Sequence, residues 1–193
     1  CEKPLVLSSN HLLKISKLEK KHKTKVNCIM QLRLNKKLII NKKIIEKKIK
    51  KNPTKKFIGH INYFTFRGDW FLKSWKGSKK KSGGLTTNIG IHLFDLLSWY
   101  FGVYEKFKIN YSSPVENRGV IYFKNARISW LISISSQHLK KGFTAKRELI
   151  LDKNKIELSD NFNDLHIKSY VEILKKKGFG TMDVFSSIKL TEK

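Results

Sequence analysis

Hydrophobic positions recur along this chain in two rhythms, and the change of rhythm divides it. Ser8-Ser9 is an N-cap signal that starts a predicted helix over about residues 9–22. His11, Ile15, Leu18 and His22 fall on one stripe of that helix, and lysines crowd its last turns, where the dipole favours cations. Residues 26–32 read as a short buried strand, so strand end, helix and strand follow in the order of a parallel α/β sheet. A second helix over about 35–51 carries Leu34, Leu38, Ile45 and Ile49 at helical spacing and stops at Asn52-Pro53.

Beyond Pro53 the period becomes two. Residues 57–67 are strand-like, 68–84 form a polar, glycine-bearing loop, and a helix is predicted over about 86–100. Phe107, Ile109 and Tyr111 then alternate with polar neighbours, as do Ile128, Trp130, Ile132 and Ile134. Residues 120–123 and 148–151 add two strands, and 152–154 turn the latter into 155–158 as a hairpin. A closing amphipathic helix uses Ile167, Tyr170, Val171 and Leu174 and ends at Gly178. The predicted fold class is an α/β stub followed by an α+β domain with a mainly antiparallel open sheet and helices on one face.

Composition changes this picture in one respect. Of 193 residues, 41 are Lys or Arg and 15 Asp or Glu, a net charge of +26, which raises nucleic acid or an anionic membrane as a partner. Only five of those 41 cations are arginine, however, and arginine is the residue of bidentate phosphate and base contacts. The lysines travel with isoleucine and asparagine, as AT-rich codons produce, so most of the charge reads as composition bias on solvated faces and nucleic-acid binding ranks second. Cys1 and Cys28 give neither a disulfide framework nor zinc spacing, and no apolar run is long enough for a membrane span, which leads us to expect a cytoplasmic protein. The chain opens on Cys1 within what reads as a structural element, as the remainder of a longer polypeptide would.

Candidate chemistry gathers in two places. Gly83-Gly84 lets backbone approach a ligand, and the helix that follows offers free N–H groups to an anion. Asn88, His92 and Asp95 stand at i, i+4 and i+7 on that helix; a partly desolvated His92 is suited to accept a proton near neutral pH. A histidine bordering an apolar stripe is more often a satisfied core residue, and the surrounding loop is what tilts the balance. Lys3, between Glu2 and Pro4 at a strand end, is where α/β sheets place ligands, although in isolation it is one lysine among 36. The histidines and cysteines form no metal-ligand spacing, no G-x-S-x-G elbow occurs, and none of the 11 glycines belongs to a G-x-G-x-x-G fingerprint.

Glu2-Lys3-Pro4 together with the run from Gly83 through Asn88 and His92 to Asp95 resembles the Gfo/Idh/MocA oxidoreductases. Gln31-Leu32-Arg33-Leu34, Arg67-Gly68-Asp69-Trp70, Ser74-Trp75-Lys76-Gly77, Lys81-Ser82-Gly83-Gly84 and Phe162-Asn163-Asp164-Leu165-His166 with Tyr170 narrow the resemblance to the UDP-N-acetylglucosaminuronate 3-dehydrogenase branch of surface-polysaccharide (lipopolysaccharide) synthesis. The resemblance implies that residues 1–33 are the last piece of a Rossmann NAD(P)-binding domain and 34–193 the substrate and oligomerisation domain. It implies NAD or NADP as cofactor, its main binding motif lying outside this chain and Glu2, Lys3 and Pro4 bordering it, and homo-oligomers built on the open sheet. The implied reaction oxidises a sugar C3 hydroxyl. Lys3 would hydrogen-bond that hydroxyl, His92 would take its proton, and Asn88 would orient the substrate. Arg67 and Lys76 would meet the uronate carboxylate or the diphosphate, Trp75 would serve as a sugar platform, and His166 and Tyr170 would add contacts. A lysine-rich polyanion binder without activity, and a decayed relative keeping only the substrate domain, stay open as alternatives.

Overall fold

The computed structural model describes residues 1–159 and 162–192. Helix α1 (Ser9–His22) is capped by Ser8, whose Oγ accepts from Asn10 N at 3.3 Å. Its inward face is Ser9 and Leu12 with Ile15, Ser16 and Glu19, whereas His11, Leu18 and His22 of the expected stripe are exposed. The cause is a partnered charge: the Glu19 carboxylate accepts from Val26 N and Thr181 Oγ1, both at 2.7 Å, so a polar residue takes a place that hydrophobicity assigns elsewhere.

Of the strand expected over 26–32 only β1 (Asn27–Cys28) pairs, and Gln31–Leu34 tighten into a 3-10 turn. Cys1 runs beside β1 in the parallel sense, its N donating to Asn27 O at 2.7 Å and its O accepting from Ile29 N at 3.0 Å. Glu2, Lys3 and Pro4 thus follow immediately on a parallel pairing, with the Lys3–Pro4 peptide cis. Asn35 caps α2 (Lys36–Lys51), accepting from Lys37 N and Leu38 N, and Leu38 and Ile45 are buried as their spacing predicts.

The larger sheet uses β2 (Phe57–Thr65), β3 (Tyr104–Ser112), β4 (Glu116–Phe123), β5 (Ala126–Ser133), β6 (Ala145–Leu151) and β7 (Asn154–Glu157) in the order β3-β4-β5-β2-β6-β7. β2 and β5 are parallel and every other neighbouring pair is antiparallel. The expected loop 68–84 is instead a staircase of short turns, α3 (Asp69–Lys73), a 3-10 turn (Trp75–Gly77) and α4 (Lys79–Ser82), with Ser74 and Ser78 each capping the next turn. α5 (Gly84–Asn88) and α6 (Ile91–Phe101) follow, and α6 covers one face of the sheet. There Phe94 meets Trp130 and Phe107 edge-on, with centroids 5.3 and 5.6 Å apart.

α7 (Phe162–Leu174) corrects the sequence reading. Among its described side chains Leu165 and Ser169 are buried, the helix lying against the Gln31–Leu34 turn, and Ile167, Tyr170, Val171 and Leu174, expected to pack inward, are exposed, Leu174 by 83%. β8 (Phe179–Gly180) pairs antiparallel with β1, and an unanticipated helix, α8 (Phe185–Thr191), packs against α6 and α1. Leu12, Cys28, Met30, Ile91, Val184 and Ile188 close a second, smaller core there.

Candidate functional site

The site is built where these two cores meet, at a break in the helix expected over 86–100. A Cβ on Gly90 would lie 2.4 Å from Thr86 O and 2.6 Å from Ile132 Cδ1, so only glycine lets the junction between α5 and α6 press onto β5. Gly83 and Gly84 enter α5 at φ 76° and 66°, the left-handed region glycine tolerates. Asn88 therefore ends one helix and His92 opens the next. Asp95 belongs elsewhere: it takes two bonds from Arg33, at 2.6 and 2.9 Å, in a buried pair that also ties Arg33 to Asp183 O at 2.8 Å. Asn88, His92 and Asp95 are not one constellation.

Lys3 reaches this break from the strand end, its Nζ donating to Asn88 O at 2.6 Å. Burial and then the Arg67 guanidinium lower its ammonium to about 8; Glu2 opposes that shift and Lys76 adds to it. His92 is 5% exposed and stacks on Tyr63, with centroids 6.3 Å apart and planes 13° from parallel. Burial first, then the charges of Lys3 and Arg147, hold the imidazole well below the usual 6.5. An uncharged ring beside an ammonium, both largely removed from water, is a proton acceptor next to a hydrogen-bond donor.

An open cavity of about 610 Å³ runs along residues 1–7 and is closed on its other side by Trp75, Lys76, Lys81, Ser82 and Asn88. Trp75 and Lys76 are exposed on its rim, with Lys76 Nζ 6.0 Å from the centroid of Trp75. Arg67 is half-buried and acts on Lys3 through its charge. His166 and Tyr170 border Glu2 rather than this cavity: His166 Nε2 is 2.7 Å from Glu2 Oε1, and Tyr170 OH donates to the same oxygen at 3.4 Å. The structure thus brings Lys3, Asn88, His92, Arg67, Trp75 and Lys76 together, and leaves His166 and Tyr170 on the far side of Glu2. Sequence reasoning missed Tyr63 and Arg147. Their signal was an arginine in register with the buried Leu149 and Leu151 on β6, directly opposite Tyr63.

Residues 42–140 match the model of the oxidoreductase family Gfo/Idh/MocA, C-terminal α/β domain. The chain belongs to the Gfo/Idh/MocA oxidoreductase family. Two solved structures of the WlbA (WbpB) dehydrogenase from Thermus thermophilus, one with NAD and α-ketoglutarate and one with NAD and UDP-GlcNAcA, are 33% and 32% identical to this family member at TM-scores of 0.93 and 0.92. Each aligns over 99% of this chain, which spans 62% of theirs. The WlbA dehydrogenase of Bordetella pertussis, solved with NADH and UDP-GlcNAcA, shares the fold at 15% identity and TM-score 0.73, covering 98% of this chain and 65% of its own. The mainly antiparallel open sheet expected of this family is the sheet observed.

Proposed function

We propose that this chain supplies the substrate domain of a dehydrogenase that oxidises the C3 hydroxyl of a UDP-N-acetyl-hexosaminuronate-type sugar nucleotide for surface-polysaccharide synthesis, with NAD(P) as oxidant. Residues 1–33 are then the last piece of a Rossmann domain, a reading supported by the parallel pairing of Cys1 with Asn27 and Ile29. The observation that carries the proposal is the arrival of Lys3 at the helix break: its Nζ donates to Asn88 O, one turn before His92, and its charge acts on the His92 ring. The residues present fit one edge of a dinucleotide site, since Glu2, Lys3 and Pro4 border an open cavity, while the 11 glycines offer no cradle for its phosphates. NAD(P), when bound, supplies the two-electron acceptor for the hydride that leaves C3.

His92 takes the hydroxyl proton, and its low proton affinity keeps it uncharged and ready through neutral pH. Lys3 donates to the hydroxyl oxygen as negative charge builds on it, most effectively because the ammonium is desolvated. Asn88 fixes Lys3 through its carbonyl and orients the sugar. Arg67 and Lys76 meet the carboxylate or diphosphate, Trp75 offers a ring face to the sugar, and His166 and Tyr170, through Glu2, brace the strand end. The outer face of the sheet, where Ile58 and Arg127 are exposed, suits pairing of subunits.

The test is a chimera in which the nucleotide-binding half of the Thermus thermophilus dehydrogenase precedes Cys1, assayed for reduction of NAD by UDP-GlcNAcA. Turnover that is abolished by Lys3→Ala and by His92→Ala supports the reading; near-normal turnover in both variants contradicts it.

A further inference from the structure

His92 is enclosed from three elements: Lys3 of the N-terminal segment, Tyr63 of β2 and Arg147 of β6, with Asn88 one turn before it and Asp95 engaged by Arg33 one turn after. Tyr63 and Arg147 are directly paired in the β2–β6 register, on the face of the sheet that carries Ile61 and Leu149. The Arg147 guanidinium carbon lies 5.0 Å from the Tyr63 centroid, the pair is hydrogen-bonded through the side chains, and an Arg147 amino group lies 3.5 Å from Thr65 Oγ1. The ring of His92 lies nearly parallel to that of Tyr63, with centroids 6.3 Å apart. A guanidinium, a phenol and an imidazole are therefore in series, the first two held on adjacent paired strands and the third on α6.

We propose that Arg147, acting through the ring of Tyr63, is a positioning residue that fixes the plane of the His92 imidazole. Arg147 touches neither the hydroxyl nor the cofactor in this account. Its side chain holds Tyr63, Tyr63 stacks on His92 beside the helix break, and the guanidinium charge adds to that of Lys3 in keeping a second proton off the ring. The inference rests on the role assigned to His92 above, but its test does not need turnover.

The experiment is an NMR titration of the His92 ring in this 193-residue chain, unmodified and as Arg147→Gln and Arg147→Lys. In the unmodified chain His92 is expected to stay uncharged well below pH 6.5, with cross-relaxation between the Tyr63 and His92 rings. Arg147→Gln is expected to raise the titration midpoint by about one pH unit, a tenfold gain in proton affinity, and Arg147→Lys to restore most of the original value. An ordinary midpoint in the unmodified chain overturns the proposal without any variant, as does a midpoint that Arg147→Gln leaves in place or that both variants move equally. Loss of turnover in the chimera with these titrations as expected would refute the proposed reaction and leave the stack intact.

Discussion

His92 and Asp95 are both buried, both ionisable and less than one turn apart on α6, yet they are surrounded in opposite ways. Asp95 is met by an arginine with two short bonds and by Ser187, so its charge is compensated and it ties α6 to the turn at Gln31–Leu34 and to α8. The charges that act on His92 are cations, Lys3 and Arg147, which make the protonated ring unfavourable. A buried group given its counter-ion holds the structure together. A buried group crowded by charges of the sign it would itself carry is tuned, at a cost in stability, for a proton it must receive from elsewhere.

The largest effects should separate the two ends of α6. In the chimera, His92→Ala is expected to lower kcat by about 10²–10⁴-fold, as loss of a general base does, with a smaller loss of stability than Arg33→Met because no charge is stranded. Arg33→Met should do the reverse: it strands Asp95 without a counter-ion and is expected to cost about 3–5 kcal/mol in urea unfolding, while the double variant Arg33→Met with Asp95→Leu regains most of the loss. Equal damage to stability from His92→Ala and Arg33→Met would erase the contrast.

A smaller effect sharpens it. Because the folded ammonium of Lys3 titrates at about 8 rather than 10.5, folding disfavours its charged form; that cost is fully present below pH 8 and disappears as pH rises towards 10.5. Lys3→Met should therefore stabilise the chain by about 2 kcal/mol at neutral pH, after the lost bond to Asn88 is counted, and by much less at pH 10. A variant that is less stable at neutral pH would mean that Lys3 is a structural residue.

Much of this was legible in the sequence. Period-two alternation marked the strands, and the polar run Asp152-Lys153-Asn154 marked the β6–β7 hairpin turn, where residues 152 and 153 adopt φ 45° and 72°. Lys3, Asn88 and His92 were singled out together only through the resemblance carried by two local runs, Glu2-Lys3-Pro4 and the run from Gly83 to Asp95. What was lost depended on partners far along the chain. The inward face of α1 was misread because Glu19 is satisfied by Thr181, 162 residues away. The outward stripe of α7 was misread because periodicity marks an apolar face without saying what meets it. The break at Gly90 follows from the proximity of Ile132, and the role of Arg147 from its register against Tyr63, neither of which spacing encodes.

The pH dependence of kcat/KM in the chimera tests the central claim most directly, because it reads Lys3 and His92 in the same free enzyme. Lysine acting as the charged donor and histidine as an uncharged acceptor predict a plateau that extends well below pH 6.5 and falls away above about pH 8. A rise centred on 6.5, with no loss on the alkaline side, would contradict the account.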